Sequence, residues 1–80
     1  MTVKQILSPL PGTFYRRPAP DKPSYKEAGD RIAKGDIIGL VEVMKSFYEV
    51  KSDHDGKVAR FLVENEDAVQ AGQPLVEIEA

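Results

Sequence analysis

The chain repeats itself. Setting Glu27–Val43, EAGDRIAKGDIIGLVEV, over Glu64–Ala80, ENEDAVQAGQPLVEIEA, aligns the two stretches at a constant offset of 37 positions. Asp30 then falls on Asp67, Ile32 on Val69, Gly35 on Gly72, Ile38 on Leu75 and Val41 on Ile78. Internal repetition constrains architecture before any single residue is read. Here the matched positions read as an acid ahead of an apolar residue, a turn glycine, and then a strand. The segments just upstream correspond as well, since PGTF (Pro11–Phe14) and DGKV (Asp55–Val58) both read as a turn leading into a strand. Between those turns and the aligned blocks the first half is seven residues longer, from Gly12 to Glu27 against Gly56 to Glu64. The excess lies in YRRPAPDKPSYK, with Pro18, Pro20 and Pro23. Proline fixes φ and removes an amide donor, so this insert is expected to be a stiff loop projecting outside the strand ladder.

Most other segments read as short strands. LVEIEA alternates, with Val76 and Ile78 on one face and Glu77 and Glu79 on the other, while VARFLV and FYEV are rich in β-branched and aromatic residues. AGDRIAKGD and NEDAVQAGQ are too short and too punctuated by glycine for stable helices. The fold class expected is all-β: a flattened barrel or sandwich of two quasi-symmetric four-stranded halves with a protruding loop. Eighty residues make a single domain, 1–80, whose folding hides only about 60% of the extended chain's surface. A net charge of −2 argues against a nucleic-acid surface. Absence of cysteine removes disulfide staples and thiol chemistry, and no apolar run approaches the roughly 20 residues of a membrane span. Nothing at Met1–Leu10 resembles a signal peptide, so a cytoplasmic location without a membrane partner is expected.

The repeat also locates a turn. Ile37–Val50 reads as strand throughout, yet fourteen residues exceed the usual strand of about five or six, and the run holds no proline, asparagine or aspartate, its one glycine, Gly39, being well inside. If the second copy ends at Ala80, the first ends at Val43, which makes Met44 and Lys45 the turn. Two-residue hairpin loops need positive φ at one or both central residues, for which Met and Lys are poor choices. The expectation is a strained turn, at about 1–3 kcal/mol per strained residue, with an amine held at its tip. An exposed lysine is protonated at neutral pH and a weak nucleophile, better suited to being acylated by an enzyme than to acting as one.

The resemblance carried by these residues is to a known family. VEVMKSFYEV is similar to the Glu-Ala-Met-Lys-Met motif of biotinyl domains, and SPLPGTFYRRPAPD resembles the opening of the biotin carboxyl carriers of acetyl-CoA carboxylases, the likeness running from Ile6 to Glu79. It implies a biotinyl/lipoyl-like fold and a non-catalytic carrier with biotin on the Lys45 ε-amine. Glu42, Val43, Met44 and Ser46 would be the recognition residues around it, and Arg16, Arg17, Pro18, Ala19, Pro20 and Asp21 would form the thumb. The implied partners are a biotin protein ligase, a biotin carboxylase and a carboxyltransferase, the swinging arm moving a carboxyl group between the last two for fatty acid biosynthesis. Val43 stands where the family usually has Ala, Ser46 where it has Met, and Arg17 where relatives often have a Thr able to touch biotin. Met1 lies only a few residues ahead of the domain, without an Ala/Pro-rich linker, so a free-standing carrier is expected. Carriers of urea-type or other small-substrate carboxylases are the alternative, followed by lipoyl carriers, which resemble Asp-Lys at the tip and usually lack the thumb.

Three other groups compete for a role. His54, between Asp53 and Asp55, suggests a metal or acid–base cluster, but a lone histidine in SDHDG reads as a polar turn, and no metal is expected. Phe14, Tyr15, Arg16 and Arg17 suggest a cation–π or anion patch, against which packing of Phe14 beside a solvated arginine pair is the expectation. Glu42 and Glu49, on opposite sides of the hairpin, are expected to keep exposed strands soluble or to assist recognition rather than to form a catalytic pair.

Overall fold

A computed structural model describes residues 2–80; Met1, where the expected domain begins, lies outside the described residues. Eight strands follow in chain order: β1 Val3–Leu7, β2 Gly12–Tyr15, β3 Arg31–Ile32, β4 Ile37–Val43, β5 Ser46–Lys51, β6 Gly56–Phe61, β7 Ala68–Val69 and β8 Pro74–Glu79. They form two four-stranded antiparallel sheets, ordered β1-β8-β6-β3 and β5-β4-β2-β7. Exchanging β1–β4 with β5–β8 turns one order into the other, which is the expected quasi-twofold. The sheets are not the halves, however. Each sheet takes two strands from each half, so neither half can complete a sheet without the other.

The repeat is visible bond by bond. Asp30 Oδ2 accepts from the Glu27 N–H at 2.8 Å, and Asp67 Oδ2 from the Glu64 N–H at 2.8 Å, each aspartate closing an equivalent four-residue turn from its last position. Gly35 N–H donates to the Ser52 carbonyl at 2.7 Å and Gly72 N–H to the Ser8 carbonyl at 2.8 Å, both glycines having positive φ (95° and 81°). Ser8 and Ser52, each only 3% exposed, turn their hydroxyls onto the carbonyls of Leu10 and His54. These bonds satisfy polar groups that would be costly to bury unpaired.

The apolar core is the same repeat seen from inside. Ile6 and Val50, Phe14 and Val58, Ile32 and Val69, Ile38 and Leu75, and Val41 and Ile78 are quasi-equivalent pairs, and every member is buried in one cluster. Burying each such side chain contributes about 1.5–3 kcal/mol. One pair of positions differs in size. The Phe14 ring lies against Gly39, where an added Cβ would come within 2.6 Å of it, whereas the equivalent second-half positions are Val58 and Val76. Phe14 therefore packs in the core as expected, whereas the expected solvated arginine pair is corrected, since Arg16 lies over the Phe61 ring and pairs with Glu27.

The insert between β2 and β3 does stand outside the ladder. Its ends are joined by the Tyr25 N–H to Arg16 carbonyl bond at 2.9 Å, and its tip turns at Ala19–Lys22, with Lys22 N–H on the Ala19 carbonyl at 3.1 Å. Leu40 is buried but not part of the core cluster; alternation with inward Val41 puts it on the outer face of its sheet. Burial, and then the Glu49 charge, raise the pKa of Tyr25 above the usual phenol value. No helix among the described residues is long and apolar enough to cross a membrane.

Candidate functional site

β4 and β5 pair from Ile37↔Lys51 to Val43↔Ser46, leaving Met44 and Lys45 as a two-residue loop. Their φ values are 50° and 68°, the signs a type I′ hairpin turn requires at both central residues. Such turns favour Asn-Gly because the left-handed region costs an ordinary L-residue about 1–2 kcal/mol. The turn expected from the repeat is therefore present, and so is its strain. Met44 is 94% exposed, and Lys45 and Ser46 are exposed with it. Among the described residues no carboxylate pairs with the Lys45 amine.

The residues beside the turn separate into two groups. Val43 is half-buried against the core and anchors the end of β4. Glu42 points to the outer face, where its Oε1 accepts from the Tyr15 hydroxyl at 2.9 Å. That bond, with burial and the Glu42 charge, raises the Tyr15 pKa above the usual phenol value. Phe47, the register partner of Glu42, sets its ring 6.0 Å from that of Tyr15, tilted by 54°. Glu49 instead lies 3.7 Å from Lys51, so each of the two glutamates has its own partner.

Thumb and hairpin enclose a cavity of about 520 Å³ lined by Tyr15, Arg17, Pro18, Ala19, Pro20, Phe47, Asn65 and Glu66. Four of the six expected thumb residues face it. Asp21 does not line it, and Arg16 is tied to the root of the thumb: its guanidinium lies 4.0 Å above the Phe61 ring and 2.8 Å from Glu27 Oε1. Its backbone N–H donates to Asn65 Oδ1 at 2.8 Å. Arg17 reaches the Pro20 carbonyl at 3.4 Å, within the thumb. The cation–π contact set aside in the sequence reading thus exists, but between Arg16 and the distant Phe61.

His54 lies in the turn before β6, its backbone bonded to the Ser52 hydroxyl and its ring 3.2 Å from Asp53. Asp55 accepts from the Lys34 N–H at 2.7 Å. Among the described residues no three His, Cys, Asp or Glu side chains converge to hold a metal. Sequence reasoning did not place Phe47, Asn65 or Glu66 at the site. They come from β5 and the β6–β7 loop, and only the folded register brings them to the thumb.

Residues 4–78 match the biotin–lipoyl family, described as biotin-requiring enzyme. The chain is 42% identical to the biotin carboxyl carrier protein of acetyl-CoA carboxylase from Nostoc sp., over 92% of this chain and 41% of that protein. It is 47% identical to the protein of that name from Chlamydia pneumoniae, over 91% of this chain and 44% of the relative. Among solved structures, the urea carboxylase of Kluyveromyces lactis superposes with a TM-score of 0.79 at 28% identity, over 99% of this chain and 6% of that one. The chain therefore spans less than half the length of these relatives. It belongs to the biotin–lipoyl family of biotin-requiring enzymes.

Proposed function

We propose that the chain is a biotin carboxyl carrier, a single non-catalytic biotinyl domain spanning 1–80 that acts in the cytoplasm, with biotin joined to Lys45. The observation that carries this reading is the Met44–Lys45 loop, whose two positive φ values hold a primary amine in solvent at the cost of backbone strain. The residues fit the group: attachment needs an accessible amine on a stiff base, and Lys45 is exposed at the end of a seven-residue and a six-residue strand. A biotin protein ligase using ATP forms the amide, with Glu42, Val43, Met44 and Ser46 presenting the lysine. Bound biotin supplies a nitrogen that holds a carboxyl group reversibly. The chain's own part is proximity. The hairpin keeps the arm's root fixed while its end visits a biotin carboxylase and then a carboxyltransferase, raising the effective concentration at both.

Relatives named for acetyl-CoA carboxylase, at 42% and 47% identity, support that assembly and hence acetyl-CoA as acceptor. The likeness to a urea carboxylase, at 28% identity, supports a second and weaker reading in which the acceptor is urea-like. Neither reading calls for a nucleic acid or a membrane. Incubation with biotin protein ligase, biotin and ATP should add one biotin per chain by intact mass, and Lys45→Arg should abolish the addition while leaving the melting curve in place. Labelling of the Lys45→Arg variant would refute the assignment.

A further inference from the structure

We propose that Tyr15 is a positioning residue for modification of Lys45: its hydroxyl locks the Glu42 carboxylate into the orientation in which a basic group of the ligase reads it. The proposal rests on the carrier reading above and deepens it. Glu42 stands three positions before Lys45, and its register partner Phe47 two positions after, so the two flank the strained loop on the outer face. Tyr15 touches both, through the 2.9 Å bond to Glu42 Oε1 and the ring contact with Phe47. Its own backbone is fixed by pairing with Leu40, and it is the last strand residue before the thumb departs.

The chemistry is one of preorganisation. A glutamate on an exposed hairpin samples several rotamers, and a partner that needs one of them must restrict the rest on binding. With Oε1 held by the phenol, Oε2 is left to accept from a donor of the partner. Glu42 also raises the pKa of Tyr15, so the phenol keeps its proton at neutral pH and remains the donor. Tyr15 is half-buried and stands outside the apolar core cluster, so its hydroxyl has no packing task that would explain the bond.

The test uses the whole domain and a biotin protein ligase, with binding read separately from turnover by using Lys45→Arg domains as competitive inhibitors. Tyr15→Phe keeps the ring and removes the hydroxyl. It is expected to raise both KM for the domain and the inhibition constant about 3- to 10-fold, with kcat and Tm little changed. Glu42→Ala should cost at least as much, and the double variant no more than Glu42→Ala alone, because alanine leaves the phenol nothing to hold. Glu42→Asp, which keeps the charge but draws it away from the phenol, should show a similar loss to Tyr15→Phe. The proposal is overturned if Tyr15→Phe or Glu42→Asp binds like the wild type. It is equally overturned if the effects of Tyr15→Phe and Glu42→Ala multiply. A wild-type domain that takes no label at all sinks the carrier reading itself and this proposal with it, a result distinct from normal labelling of Tyr15→Phe.

Discussion

The two halves of the molecule share a hydrogen-bond framework and differ in what that framework carries. Both close a turn with an aspartate that accepts from the N–H three residues before it, both run a turn glycine onto a serine carbonyl, and both bury that serine. The first half adds the thumb and pairs a large Phe14 with Gly39, where the second uses Val58 and Val76. It ends in the strained Met44–Lys45 loop, whereas at the equivalent place in the second half the Ala80 N–H lies on the Thr2 carbonyl at 2.9 Å. The comparison teaches that the shared part makes the fold. The candidate site gathers where the copies depart from each other.

The largest effect expected comes from the size exchange. Phe14→Val leaves a void over Gly39 and should destabilise by about 2–4 kcal/mol. Gly39→Val drives a branched side chain into the ring and should cost about 2–3 kcal/mol. The double variant copies the second half, and chemical denaturation should find it less destabilised than the sum of the single changes by about 1 kcal/mol or more. Strict additivity would break the idea that the halves solve one packing problem in two ways.

A smaller effect tests the turns. Gly29 and Glu66 are quasi-equivalent and both left-handed, at φ 93° and 70°. Glycine reaches that region without a Cβ penalty, so Glu66→Gly should stabilise by about 0.5–1 kcal/mol. Gly29→Ala should destabilise by about 1 kcal/mol through conformation alone, since a Cβ there meets nothing within 4 Å. Thermal melts showing opposite signs for the two changes would sharpen the comparison, and equal signs would break it.

The smallest effect concerns acid. Asp36 closes a turn by accepting from the Ala33 N–H at 2.9 Å, a place taken in the second half by Gln73, which accepts from the Gln70 N–H at 2.9 Å and cannot ionise. The Ala33 N–H, and then Lys26, lower the Asp36 pKa below its usual 3.8. A carboxyl with a lowered native pKa adds stability above its unfolded pKa, and that stability is lost as pH falls through the native value. Asp36→Gln should therefore flatten the decline in stability below about pH 4. An unchanged pH profile in melts would show that the aspartate adds nothing its counterpart lacks.

Much of this was legible in the sequence because the repeat survives at residues with unambiguous geometry. Asp30 and Asp67, Gly35 and Gly72, and the alternating apolar pairs carry turn and strand chemistry on their face. The hairpin followed from counting, since the end of the second copy marks the end of the first. What the sequence hid depends on register and on contacts between distant strands. Arg16 over Phe61 joins the root of the thumb to β6, and the Tyr15–Glu42 bond needs both residues on one outer face. Periodicity says which face a residue takes but not which neighbour waits there. That two strands of each half cross into the other's sheet is likewise a matter of pairing, which local propensity does not encode.

The central claim is that a rigid, strained loop holds one amine at one place for another protein to modify. Exchanging the two loop residues, Met44→Lys with Lys45→Met, keeps composition, charge and loop length while moving the amine by a single position. Intact mass after incubation with biotin protein ligase, biotin and ATP should show one biotin on the wild type and none on the exchanged chain. Equal labelling of both would contradict the account.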